Sequence, residues 1–243
     1  MRKCFNYYTK TYQQVINDNL KITGFDASYF AISKIRKLKD LNPAIRFEPI
    51  RILDFGCGIG NFCLGFKEYF PKASYVGVDI ASEMIKQARK KYAEHGEFYE
   101  SGSSEWKTTP YDIIFSSGTF HHIPHDEHEA IIKELASLLK PSGKIYIWEH
   151  NPLNPITRKL VNDCVLDEDA VLVAPKKIRR LYHRAQLNSV QIMYTTFFPK
   201  FLGLLIPLEP CLESLPLGAQ YIAIGANILA SGTPANRDSH CSD

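Results

Sequence analysis

Apolar residues recur near the helical period twice within the first 45 positions: Tyr8, Tyr12, Ile16 and Leu20, then Tyr29, Ile32, Ile35 and Leu38. That spacing predicts helices, and Asn42-Pro43 breaks it. From Ile50 the pattern changes. Short apolar runs alternate with amphipathic stretches, predicting strands over 50–55, 74–79, 97–101, 111–116 and 144–148. Helices are predicted between them over 61–69, 82–94 and 127–139. In the last of these, Ile131, Leu135, Leu138 and Leu139 share one face, as a helix lying on a sheet requires. Strands alternating with helices point to an open α/β fold with a parallel sheet covered on both faces.

Beyond residue 150 the pattern loosens. Asn151-Pro152 and Asn154-Pro155 impose extended or turn geometry. A helix is predicted over 176–186 and strands over 190–198 and 221–228, with a proline-broken apolar segment between them. The expected organisation is a helical cap over 1–45, one domain over 46–230, and a polar, disordered tail over 231–243.

Composition mainly removes alternatives. At 243 residues the chain can bury a full core without disulfides or metals. A net charge of +3 is too small for a nucleic-acid binder, and Lys34, Arg36, Lys37 and Lys39 read as a solvated helix face. The six cysteines show no metal-ligand spacing. With no secretory signal and no membrane-length apolar run, a cytoplasmic location is expected.

The chemistry concentrates after the first strand, in Asp54-Phe55-Gly56-Cys57-Gly58-Ile59-Gly60-Asn61. Glycines at a strand–helix turn let the backbone approach a ligand, and the helix start offers free N–H groups. Asp79 ends the second strand, where a carboxylate can accept from two ribose hydroxyls. The dinucleotide fingerprint has a third glycine where this chain has Asn61.

Asp54-x-Gly56-x-Gly58-x-Gly60 with Asp79 resembles the class I S-adenosylmethionine-dependent methyltransferases. The likeness continues through Asp112-Ile113-Ile114-Phe115-Ser116, Phe120-His121-His122-Ile123-Pro124 and Leu138-Leu139-Lys140-Pro141-Ser142-Gly143. It is nearest to the small-molecule branch that includes quinone-biosynthesis methyltransferases. The resemblance implies a Rossmann-like, seven-stranded, mostly parallel sheet with helices on both faces and an antiparallel last strand. It also implies that Gly56, Cys57, Gly58 and Asn61 cradle the methionine part of S-adenosylmethionine while Asp54 holds its amino group. By the same likeness Asp79 holds the ribose, Ile80 and Met84 flank the adenine, Ser103 and Ser104 approach the adenine amino group, and Ser116 and Gly118 floor the sulfonium.

A sulfonium methyl is already activated, so the protein's task is alignment and exclusion of water. An oxygen or nitrogen acceptor also loses a proton, and His121 and His150 are the candidate base or acceptor-binding pair. The competing reading has His122 packing in its loop and His150 fixing the Asn-Pro turns. Tyr29, His122, Glu149, Asn151, Asn154 and Arg158 are candidates for holding the acceptor, although the two asparagines and Arg158 could equally cap the following helix. Asp167-Glu168-Asp169 reads as a helix N-terminus. No metal is required, and no ligand set stands out.

The acceptor is expected to be a small molecule, a lipidic one included, and O-methylation is the expected reaction, with C-methylation the alternative. The apolar segment 197–207 reads first as a buried connector, with a peripheral membrane contact as the alternative. Three rival functions are a nicotinamide-dependent oxidoreductase, a non-catalytic S-adenosylmethionine-binding partner subunit, and a macromolecular methyltransferase. The last would place an Asn/Asp-Pro-Pro-aromatic motif where this chain has Ser116-Ser117-Gly118-Thr119.

Overall fold

A computed structural model of the chain describes residues 11–227, so the expectations for Tyr8 and for the tail 231–243 lie outside the described residues. Seven strands form one sheet: β1 Arg51–Phe55, β2 Ser74–Asp79, β3 Glu97–Glu100, β4 Tyr111–Ser117, β5 Leu139–His150, β6 Ser189–Thr195 and β7 Gln220–Ala226. Their order is β3-β2-β1-β4-β5-β7-β6. The first five run parallel, and β7 runs antiparallel to both β5 and β6. The expected sheet, with its reversed last strand, is what the chain forms.

Alternation along the strands divides the core into two layers. Ile113, Phe115, Tyr146 and Trp148 face one side of the sheet. There they meet Ile35 and Leu38 of α2 (Ala27–Asp40), Phe66 of α3 (Cys63–Tyr69) and Ile85 and Ala88 of α4 (Ser82–Tyr92). Ile114, Ile145 and Ile147 face the other side, against Ile132 and Leu135 of α5 (His128–Ser137) and Ile178, Leu181 and Tyr182 of α7 (Pro175–Arg184). Burial on both faces explains why the central strands read as continuous apolar runs.

Helix α2 shares the first layer through Ile35 and Leu38. Asp26 caps α2, its carboxylate accepting from the Tyr29 N–H at 2.8 Å. The preceding helix, α1 (Tyr12–Leu20), is tied across the chain where Asn19 Nδ2 donates to the Leu160 carbonyl at 3.1 Å on α6 (Pro155–Asn162).

Three of the differences from expectation change the picture. The helix after the glycine loop begins at Cys63 rather than Asn61, because Gly60 is left-handed at φ +79° and residues 59–62 are still turning. The helix expected to run to Leu139 stops at Ser137. The Leu138 carbonyl is taken by the Tyr111 N–H at 2.8 Å, which starts the pairing of β5 with β4.

The third concerns the segment after β6, which is no buried connector. Residues Lys200–Leu208 form loose 3₁₀ turns with no buried residue; Phe201 is 79% and Leu204 96% exposed. Their anchor is polar, the Glu209 carboxylate accepting from Phe197 N and Phe198 N, so the prolines and Gly203 leave the apolar side chains on the surface. Among the described residues no helix is long and apolar enough to cross a membrane.

Candidate active site

The strand order reverses at β1 and β4, and a crevice opens there at the carboxyl ends of the strands. The glycine loop occupies that edge. Gly56 has φ +82°, and a Cβ on it would lie 2.1 Å from Thr119 Oγ1, so both backbone shape and space demand glycine. Both N–H groups of Gly56 and Cys57 donate to the Val78 carbonyl. Asp79 accepts from Gly58 N through one oxygen and from Ala81 N through the other, each at 2.8 Å. A carboxylate has about four acceptor positions, so roughly two remain.

Asp54 is fully buried on β1. Its Oδ2 accepts from the Tyr75 hydroxyl at 2.6 Å, while Oδ1 has no protein partner. Burial pushes its pKa up to about 7 against the Tyr75 bond. A buried acceptor left open costs free energy unless a donor meets it.

The other donor-side candidates are spread around this loop. Cys57 is buried, and burial pushes its thiol well up. Met84 is buried beneath Gly58, its sulfur 3.5 Å from where a Cβ would stand, whereas Ile80 is 46% exposed. Asn61 and Gly118 line the cleft, and Ser116 is buried with Oγ unpartnered. Ser103 is half-buried with its hydroxyl on the Glu105 carboxylate, and Ser104 is exposed.

The cleft, of about 500 Å³, runs from Asn61 and Phe62 past Gly118 and Trp148 beneath α1 and α2. Its polar end is built by a chain of side chains. The Glu149 carboxylate accepts from Thr119 N at 3.0 Å and Phe120 N at 2.7 Å, and its second oxygen meets His121 Nδ1 at 2.6 Å. His121 Nε2 lies 3.4 Å from Asp167 Oδ1, and His122 Nε2 lies 3.2 Å from the same oxygen. The His150 ring centroid is 5.1 Å from that of His121.

Burial alone would lower the pKa of His121, but Glu149 and Asp167 outweigh it and raise it. Burial would likewise raise both carboxyls, and the adjacent imidazoles, His121 foremost, hold them low instead. His150 is lowered to about 4 by burial and by the charge on His121.

Two members of this end were read differently in the sequence. Asp167 closes a 3₁₀ turn, Val165–Asp167, and points its charge at the histidines rather than at a helix start. Lys34 belongs to no solvated face: its ammonium donates to Ser117 Oγ at 2.8 Å, and burial lowers its pKa to about 8 against the pull of Glu149. Lys34 is on α2 and gave no signal beyond a charge among charges.

The remaining candidates are engaged elsewhere. Asn151 spends its amide N–H groups on the Pro216 and Gly218 carbonyls and its oxygen on Leu153 N. Asn154 caps α6, accepting from Ile156 N and Thr157 N. Arg158 is exposed on α6, outside the cleft lining. Tyr29 stacks on Phe25 with centroids 3.7 Å apart, and it is Phe30 that lines the cleft.

Residues 26–192, more than half of the chain, match the Methyltransf_23 family, described as a methyltransferase domain. The chain belongs to this family of methyltransferases. A trans-aconitate 2-methyltransferase of Rhodopseudomonas palustris is 28% identical over 121 residues, 49% of this chain and 46% of the relative. A malonyl-[acyl-carrier protein] O-methyltransferase of Brevibacillus brevis is 30% identical over 108 residues, 42% of this chain and 38% of that one. The chain thus matches these curated relatives over less than half of their length. A solved methyltransferase from Archaeoglobus fulgidus shares the fold, with a TM-score of 0.63, 18% identity, and coverage of 82% of this chain and 94% of that one.

The methyl donor of this methyltransferase family is S-adenosylmethionine, and the loop fits it. The open Asp54 Oδ1 suits an ammonium donor, and Asp79 keeps acceptor positions for ribose hydroxyls. The left-handed glycines leave the backbone bare along the path between them.

Proposed function

We propose that this methyltransferase moves a methyl group from S-adenosylmethionine to an oxygen of a small-molecule acceptor held in the cleft. The observation that carries the reading is that the glycine loop, with the open Asp54 oxygen at its start, packs through Gly56 and Phe55 on Thr119, whose N–H donates to Glu149 of the polar cluster at the ends of β4 and β5. The bound donor supplies a methyl on a positively charged sulfur, ready for in-line displacement. What the chain contributes is alignment. Asp54, Asp79 and the loop backbone fix the donor; Phe30, Phe62 and Trp148 wall the cleft against water.

His121, His150 and Lys34 stand where an acceptor oxygen would be held. An oxygen acceptor is also what the two curated relatives' names suggest, since trans-aconitate and a malonyl group both present carboxylates. Calorimetric titration with S-adenosylmethionine, S-adenosylhomocysteine and NADH tests the donor, and a screen of acids and alcohols with methyl-labelled donor tests the acceptor. One-to-one binding of the two sulfur compounds, no NADH binding, and label on oxygen are expected. Binding of NADH alone, or label on nitrogen or carbon, would overturn the reading.

A further inference from the structure

We propose that His121, His150 and Asp167 form a binding site for one divalent transition-metal ion at the polar end of the cleft. One donor atom from each of the three lies within 4.8 Å of the others. The 3.4 Å between His121 Nε2 and Asp167 Oδ1 matches the edge of a tetrahedron about an ion with bonds of about 2.1 Å. The longer separations, up to 4.8 Å, close to that edge with a contraction of up to about 1.4 Å.

The surroundings are those a metal site needs. A ligating histidine usually gives its other ring nitrogen to a carboxylate, which fixes the ring and its tautomer. Glu149 does this for His121 at Nδ1, and is itself held by two backbone N–H groups, so Nε2 is left for the ion. His122 Nε2, on a ring beside that of His121, also contacts the Asp167 oxygen and helps to hold it in place. Glu149 and Asp167 supply two negative charges to set against one divalent ion beside neutral imidazoles and the Lys34 ammonium. Buried Trp148, Cys164 and Leu166 close the walls.

The donor set decides the kind of ion. Two imidazoles and one carboxylate suit zinc, iron, cobalt or nickel; magnesium and calcium prefer oxygen donors throughout. Three protein donors leave coordination positions open toward the cleft, where an acceptor oxygen can enter. That last step rests on the methyl-transfer reading, whereas binding of the ion does not.

The test uses full-length, untagged protein treated with chelator and dialysed, then titrated with Co²⁺ and Zn²⁺ by calorimetry and, for Co²⁺, by visible absorbance. Expected are one ion per chain, cobalt ligand-field bands, and no response to Mg²⁺. His150→Ala and, separately, Asp167→Asn should each weaken Co²⁺ binding at least tenfold, while His183→Ala, on the exposed face of α7, should leave it unchanged. S-adenosylhomocysteine titration of each variant reports whether the fold and donor loop are intact. Asp167→Asn, at a partly exposed turn, keeps the test open should His150→Ala fail to fold. No saturable Co²⁺ binding, or binding unaltered in folded variants, overturns the site and leaves an ion-pair network. Co²⁺ binding without any S-adenosylhomocysteine binding supports the metal site while removing the methyl-transfer reading.

Discussion

The glycine loop after β1 and the histidine cluster after β4 and β5 meet at Thr119, yet they are held together differently. The loop is fixed by backbone: left-handed glycines, N–H groups on the Val78 carbonyl, and carboxylate caps from Asp79. All of it comes from residues 54–81. The cluster depends on side chains meeting side chains, among them Lys34, His121, Glu149 and Asp167, with Glu149 seated on the Thr119 and Phe120 N–H groups. A backbone-built site keeps its shape when one ligand-facing side chain is lost. A buried charge network does not, because each removal strands its partner in a low-dielectric interior.

The sharpest way to break that contrast is to cut both regions and compare stability with binding. Glu149→Ala strands His121 Nδ1 and two backbone N–H groups. Removing one member of a buried pair costs about 3–5 kcal/mol, readable as a drop in denaturant midpoint; a midpoint within error of wild type would show that the network holds nothing together. Asp79→Ala should act the other way round. It should weaken S-adenosylhomocysteine binding by about 1–3 kcal/mol, roughly fivefold to 150-fold, with a smaller stability loss than Glu149→Ala. Unchanged affinity would remove Asp79 from the donor site.

The same difference explains what was legible beforehand. Periodicity carried the sheet, since strands buried on both faces write themselves as apolar runs such as Ile113-Ile114-Phe115. The donor loop was legible because a local backbone requirement leaves glycines at fixed spacing. Asp167 and Lys34 were not, because an ion pair across 46 positions, between His121 and Asp167, leaves no spacing rule. Nor could asparagines beside prolines announce whether they grip a ligand or a backbone; Asn151 and Asn154 bind the 216–218 turn and cap α6. Composition misjudged the 197–207 segment for a related reason. Apolar content says how much a residue gains by burial, and only chain geometry says whether burial is reachable.

Within the backbone-built loop, Asp54 is the one buried charge without full compensation, and its titration gives the smallest and most specific effect. Burial raises its pKa from 3.8 to about 7. For an acid raised on folding, the contribution to stability is fully present below pH 3.8 and is lost as pH climbs through about 7. The stability of wild type relative to Asp54→Asn should therefore fall across that window. Binding carries the opposite sign, because a ligand ammonium prefers the ionised carboxylate. The ionised fraction grows from about one-tenth at pH 6 to about nine-tenths at pH 8. S-adenosylhomocysteine affinity should accordingly rise roughly ninefold between those values in the wild type and stay flat in Asp54→Asn. Calorimetry at both pH values on both proteins checks this: the same slope in the two would place the titrating group elsewhere, and a flat wild type would mean that the open Asp54 oxygen does not meet the ligand's ammonium.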